Sequence, residues 1–190
     1  MDLLIVSCLP KRPCFGEAIL GRIREVLRDF PREEHDLYDE GFDPVLDRAE
    51  LARATSFEAL VLDHARALTA CRRLLVVHPD WWGMPPAILK GWIDRVFREG
   101  VAYELAGEDG FEKEWRPLLG GKRAFVVVTS DSGDPDRAVL FRDIWEGAVL
   151  GACGMETECV VLDDLRRRDP ISRKEALDGV ARRAAEFLMD

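Results

Sequence analysis

The sequence predicts one α/β domain over residues 1–190, a five-stranded parallel sheet in the order 2-1-3-4-5 with helices on both faces. Three observations predict it. Short β-rich apolar runs recur along the chain, they do not alternate polar with apolar, and segments of helical periodicity separate them. Continuous apolar runs suit strands buried on both faces. The resulting order, βαβαβαβαβα, requires right-handed crossovers and puts helices above and below the sheet.

The elements follow in order. Leu3–Val6 is the first strand, and Phe15–Phe30 is a helix with Ile19, Ile23, Val26, Leu27 and Phe30 on one face. His35–Tyr38 is a weaker second strand. Phe57–Ala70 is helical, with Leu60, Val61, His64 and Leu68 in line. Leu74–Val77 is the third strand. In the helix after it, Ala87–Phe97, Ile88, Trp92 and Val96 recur every fourth residue, with Lys90, Asp94 and Arg95 on the opposite, polar face. Gly107–Trp115, containing Gly-Glu-Asp-Gly, reads as a surface excursion. Ala124–Val128 is the fourth strand, followed by a helix over Pro135–Cys153 that Gly154 ends as its C′ residue. Cys159–Leu162 is the last strand. Ser172–Met189 is the last helix, with Pro170 before it, Ser172 as N-cap and Glu175 three residues on.

Composition excludes several classes. Hydrophobic residues make up 47% and charged residues 33% of the chain, which a disordered protein does not show. A net charge of −9 repels phosphate backbones, so nucleic-acid binding is not expected. No apolar run approaches the roughly 20 residues that span a bilayer, so no membrane insertion is expected. The start, Met1-Asp2-Leu3-Leu4-Ile5-Val6, reads as a strand and not as a signal peptide, and a cytoplasmic location is expected. The five cysteines, at 8, 14, 71, 153 and 159, form no C-x-x-C. With histidines only at 35, 64 and 78, no zinc spacing is built and no metal is expected. Reduced thiols are the simplest account.

Strand order 2-1-3-4-5 puts a ligand crevice where the connections reverse, at the C-terminal ends of the first and third strands. Two loops frame it, Ser7–Gly16 and His78–Pro86, and Thr129–Pro135 lies beside them. The first runs into a helix N-terminus, a natural phosphate seat, with Lys11 and Arg12 adding charge. It has no G-x-G-x-x-G and no P-loop motif, and it equally reads as an ordinary βα connection. The second, His78-Pro79-Asp80-Trp81-Trp82-Gly83-Met84-Pro85-Pro86, is stiffened by prolines. Its adjacent tryptophans suit a flat ring, or else they pack under the next helix or in a subunit interface.

The stretch from His78 through Ala87-Ile88-Leu89-Lys90-Gly91-Trp92-Ile93-Asp94-Arg95-Val96-Phe97 to Gly100-Val101-Ala102-Tyr103 closely resembles the signature of the NAD(P)H:quinone oxidoreductase family of flavodoxin-like flavoproteins. That pattern is roughly P-x-x-W-x-x-x-P-A-x-L-K-G-W-x-D-R-V-x-x-x-G-x-A-Y. Asp36–Leu46 and Gly151-Ala152-Cys153-Gly154-Met155 also resemble family segments, so the likeness covers nearly the whole chain. The resemblance implies a flavodoxin-like fold, FMN or FAD, a homodimer, and ping-pong hydride transfer from NAD(P)H to a quinone or similar small acceptor. It implies that the backbone of Pro79, Asp80, Trp81, Trp82 and Gly83 holds the isoalloxazine ring. Thr129, Ser130, Asp131 and Ser132 would meet the pyrimidine end, and the turn of Cys14, Phe15 and Gly16 the phosphate.

The chain also departs from the family. The family's first loop commonly reads H-P-x-x-x-S-F-N; here Leu9, Cys14 and Gly16 replace its histidine, serine and asparagine. A thiol is a poorer donor than a hydroxyl, so backbone N–H groups and Arg12 are expected to compensate. The tyrosine and histidine that some members carry after strand 4 have no counterpart, and catalytic side chains stay unassigned. Asp80 is expected to point outward. His78 either titrates near neutral pH beside the ring or is a strand-end histidine bonded to backbone. Cys14 is either a reactive thiol at a helix start or an inert small residue. The rival to the enzyme reading is a regulatory protein that keeps the fold, such as an ancillary subunit of a potassium-efflux system. A phosphatase C-x5-R loop is absent.

Overall fold

The structure, a computed structural model, describes residues 1–53, 56, 58–107 and 113–189. Its main sheet holds five parallel strands: β1 (Leu3–Ser7), β2 (Arg32–Asp36), β3 (Arg73–Pro79), β6 (Arg123–Thr129) and β7 (Glu156–Leu162). Their order is β2-β1-β3-β6-β7, the expected 2-1-3-4-5 arrangement. β1 is buried at every position, and β3 and β6 are buried at five consecutive ones. Alternate residues feed two separate cores. Leu4, Val6, Leu74, Val76, Ala124 and Val126 meet the helices α3 (Ala59–Ala70), α4 (Ala87–Val96) and α5 (Arg137–Arg142) on one face. Leu3, Ile5, Leu75, Val77, Phe125 and Val127 meet α1 (Phe15–Val26) and α6 (Pro170–Met189) on the other. Two apolar layers explain why the runs do not alternate in sequence.

Several boundaries differ from the sequence reading. The second strand is Arg32–Asp36, not His35–Tyr38. It is an edge strand whose charged side chains form ion pairs, Glu34 with Arg32 on the strand and with Arg24 of the preceding helix α1, so it carries no apolar run. The first helix stops at Val26 rather than Phe30, ahead of Pro31, which disfavours helix in the residue before it. Ser172 is not the N-cap of the last helix. Asp169 accepts from the N–H of Ile171 at 2.9 Å and of Ser172 at 3.1 Å, with Pro170 in the first turn. Arg95 is buried, not on a solvent face; Lys90 and Asp94 remain an exposed pair. A short helix, α2 (Arg48–Leu51), and an antiparallel hairpin, β4 (Tyr103–Ala106) with β5 (Glu114–Pro117), have no counterpart in the reading. Of the Gly107–Trp115 excursion, residues 108–112 lie outside the described residues, as does Phe57, the expected start of the second helix.

The expected helix over 135–153 is two structures joined end to end. α5 passes into a π-helix, Asp143–Val149. The chain then closes as a Schellman turn, with Met155 N–H donating to Leu150 O and Gly154 N–H to Gly151 O. Gly154, at φ +90°, is the expected C′ glycine. The wide π-turn brings Gly151 onto the preceding backbone: a Cβ there would lie 1.7 Å from the carbonyl oxygen of Glu146. Gly151→Ala is therefore expected to lower stability by about 3 kcal/mol, since backbone must move. Urea denaturation reads this; a loss under about 1 kcal/mol would show that the turn tolerates a methyl. The π-helix also turns Glu146 toward β7, where its Oε1 accepts the N–H of Cys159 at 2.7 Å.

Candidate functional site

The C-terminal ends of β1, β3 and β6 carry the three loops singled out from sequence. In the first, Cys14 is the N-cap of α1 and its side chain makes no capping bond, so the first-turn N–H groups have no side-chain acceptor. Leu9 is buried and folds under Gly16, where a Cβ would lie 2.7 Å from the Leu9 side chain. Arg12 does not serve the helix start. It pairs with Asp36 and, at 2.9 Å, with Asp39, and both carboxylates raise the guanidinium's affinity for its proton. Asp36 also accepts from Ser7 Oγ at 2.8 Å and from the N–H groups of Tyr38 and Asp39. Any phosphate seat here rests on backbone N–H groups, not on Arg12.

The second loop is a tight turn. Trp81 and Met84 exchange two backbone hydrogen bonds of 3.1 Å. Trp82 and Gly83 between them have φ +59° and +78°, the signature of a type I′ turn. Glycine takes such a φ freely; tryptophan does so at a cost of about 1–2 kcal/mol. The strain is offset below the turn, where Asp80 Oδ1 accepts the N–H of Gly83 at 2.7 Å. Trp82 is 99% exposed and Trp81 44% exposed, so neither packs under α4. A rigid turn thus holds a wholly uncovered indole at the crevice mouth.

The third loop is bound to the second. Asp80 donates its N–H to Thr129 O at 2.7 Å, and Ser130 Oγ donates to Asp80 Oδ2 at 2.9 Å. Asp80 therefore points into the protein, contrary to the expected outward orientation, because Ser130, Gly83 and Arg137 all converge on its carboxylate. Ser132 N–H donates to Ser130 Oγ, and Ser132 Oγ to Asp163 Oδ2. Asp131 accepts from the N–H of Arg166 and pairs with its side chain. The structure thus brings Pro79–Gly83 and Thr129–Ser132 together as one tied unit. Residues 12–16 stand on the neighbouring strand, fastened to the end of β2 through Arg12.

His78 is wholly buried at the end of β3. Its Nδ1–H donates to Pro79 O at 2.8 Å, and its Nε2 accepts from Trp145 Nε1–H at 3.1 Å. Burial lowers its pKa to about 4, so at neutral pH it is an uncharged structural group. The strand-end reading of His78 is the correct one. Trp145 has no place in the sequence reading; it reaches His78 only because the π-helix turns it inward. A second such pair lies under α4, where His64 Nδ1 accepts from Trp92 Nε1–H at 2.9 Å.

His35, Glu40 and His64 bring ligand-type atoms within 4.8 Å of one another, which the spacing of the histidines did not suggest. His64 argues against a cation there. Its Nδ1 is an acceptor, so its one proton sits on Nε2 and donates to Glu40 at 3.0 Å. A metal at Nε2 would have to displace that proton. All five cysteines are free, and burial raises Cys71 and Cys153 to about 11 and Cys159 to about 12. Cys14 alone is partly exposed. Among the described residues no helix is long and apolar enough to cross a membrane.

Grooves of about 480 and 600 Å³ lie away from the crevice, one beside β7 and one between α1 and α6. In each an arginine is paired with a carboxylate, Arg183 with Glu158 beside β7 and Arg22 with Asp178 between the helices.

The strand order, with loops gathered at its switch point, places the chain in the flavodoxin-like class of α/β proteins. Comparison with known proteins narrows this. Residues 1–188 match the Flavodoxin_2 family, described as having a flavodoxin-like fold, and the chain belongs to that family. A Haemophilus influenzae protein named "Uncharacterized NAD(P)H oxidoreductase" is 38% identical over 96% of this chain and 94% of its own length. A Pseudomonas aeruginosa protein named "FMN-dependent NAD(P)H:quinone oxidoreductase 1" is 33% identical over 46% of this chain and 44% of its own. The crystal structure of Smu.1420 from Streptococcus mutans matches with a TM-score of 0.84 at 27% identity, covering 98% of this chain and all of that one (100%).

Proposed function

We infer that the chain is an NAD(P)H oxidoreductase that uses FMN to pass electrons to a quinone or similar flat acceptor. One observation carries the reading: the strained type I′ turn that holds Trp82 uncovered at the switch point, tied through Asp80 to the third loop. A strained, exposed aromatic is retained where function needs it. The residues fit the group. First-turn N–H groups of α1, from Phe15 and Gly16, would hold the phosphate, compensating for the missing serine at Cys14. The backbone of Pro79–Gly83 would support the ring, and that of Thr129–Ser132 its pyrimidine end. When bound, FMN supplies the hydride-accepting centre. The protein's part is to fix the ring and keep the donor and acceptor faces in reach.

The relatives' names support an oxidoreductase over the regulatory reading, and one of them favours FMN over FAD. Exposed Trp81, Trp82 and Met84 suit a homodimer interface that would wall the crevice. Donor and acceptor would then use one pocket in turn, the ping-pong order. Free thiols suit the cytoplasm. The test is reconstitution. Purified protein titrated with FMN should quench flavin fluorescence and stay yellow through desalting, and NAD(P)H should bleach it until a quinone is added. Protein that takes up neither FMN nor FAD at saturating concentration would sink the reading and favour the regulatory one.

A further inference from the structure

Arg137 stands between the two tied loops. Its guanidinium packs against Gly83, where a Cβ would lie 2.3 Å from Nη1, and it reaches Asp80 Oδ2 at 3.4 Å and Asp134 Oδ2 at 3.7 Å. Both contacts are long for a charged hydrogen bond. The contact to Asp80 is made by Nε, which is buried and at that length makes no hydrogen bond among the described residues. A buried donor without a partner costs about 1–3 kcal/mol. Nε is enclosed against Asp80, so the donors left for an anion that arrives later are those of Nη1 and Nη2, which make no hydrogen bond among the described residues. Arg12, the cation the sequence favoured, is already engaged by Asp36 and Asp39.

We propose that Arg137 is a catalytic residue of this site, a cation at the pyrimidine edge of the flavin that stabilises the charge appearing there on reduction. This rests on the flavin reading above and deepens it. In hydride transfer a C–H bond of dihydronicotinamide breaks and an N–H bond forms at the ring's N5. The nicotinamide is oxidised to its cation, and two electrons and one proton are added to the ring. The net gain is one negative charge, and charge near the ring is a lever on its electronics. Asp80 opposes that charge, and Arg137 both neutralises Asp80 and offers its remaining donors. The pair makes the floor of the site neutral before reduction and receptive after it.

The experiment is anaerobic titration of the apoprotein with oxidised FMN and with chemically reduced FMN. The readout is the ratio of the two dissociation constants. Arg137→Gln should weaken reduced FMN roughly tenfold more than oxidised FMN. Arg137→Lys should keep the ratio within about threefold, since it keeps the charge. Asp80→Asn, close to isosteric, should move the ratio the opposite way, an outcome that does not need the Arg137→Gln protein to fold. A residue with only a structural role would weaken both forms equally. Wild type that binds FMN, with a ratio unmoved by Arg137→Gln and Asp80→Asn, overturns this proposal alone. Wild type that binds no flavin overturns both.

Discussion

Replacing Arg95 by methionine is expected to lower folding stability by about 3–5 kcal/mol, because it strands a buried carboxylate. The Arg95 side chain is 4% exposed and that of Glu50 is 9% exposed. Arg95 Nε donates to both Glu50 oxygens, at 3.0 and 3.3 Å, and Nη2 donates to Glu50 at 2.7 Å and to Glu58 at 2.6 Å. Nη1 donates to the carbonyl of Asp43 at 2.7 Å. One side chain on α4 thus holds three points between β2 and α3, at Asp43, Glu50 and Glu58. The pair as a unit need not stabilise much, but breaking it leaves Glu50 charged without a partner. The double variant Arg95→Met with Glu50→Gln should therefore recover part of the loss. Urea denaturation of the three proteins reads both effects. A single-variant loss under about 1 kcal/mol would show that Glu50 finds water or another partner.

Acid should destabilise the protein well above the usual carboxylate range. His64 and His78 are buried as neutral rings, and burial lowers their pKa values to about 3 and about 4. An unfolded histidine titrates near 6.5. Their folded values lie lower, so the unfolded state binds more protons as pH falls below about 6.5. Stability is full above that pH and declines as pH drops toward 4. At pH 5 each histidine removes roughly 2 kcal/mol. Asp163, held below the ordinary aspartate range by hydrogen bonds from Asp164, Ser132 and Gly133, acts only at lower pH. Denaturant midpoints at pH 7.5, 6 and 5 therefore read the histidines without the aspartate. A flat profile from 7.5 to 5 would mean that the two Trp–His hydrogen bonds do not hold the rings neutral.

The strands that the sequence made legible are those with apolar neighbours on both faces. Leu3–Val6, Leu74–Val77 and Ala124–Val128 could serve nothing but a buried sheet. Arg32–Asp36 was misplaced because an edge strand satisfies its side chains with salt bridges, which leave no apolar pattern. The hairpin β4–β5 hid for a related reason: every residue of β5 is exposed, and its main anchor is Trp115, stacked on Tyr103 at 3.8 Å. The three loops were legible because proline, glycine and paired tryptophans mark rigid turns. Which cation they employ was not. Arg12 and Arg137 look alike in sequence, and only the carboxylates at 36 and 39 tell them apart. Arg95 was misread for the same reason, since its partners lie some forty residues away, at 43, 50 and 58.

The hydrogen bond from Cys159 N–H to Glu146 has a consequence for assembly. β7 is the outermost strand of its sheet, and such a rim is a template on which another extended chain can accrete. By occupying a donor on that rim, Glu146 plugs a slot that an incoming strand would need. An extended chain arriving at this rim would therefore find the Cys159 donor already taken.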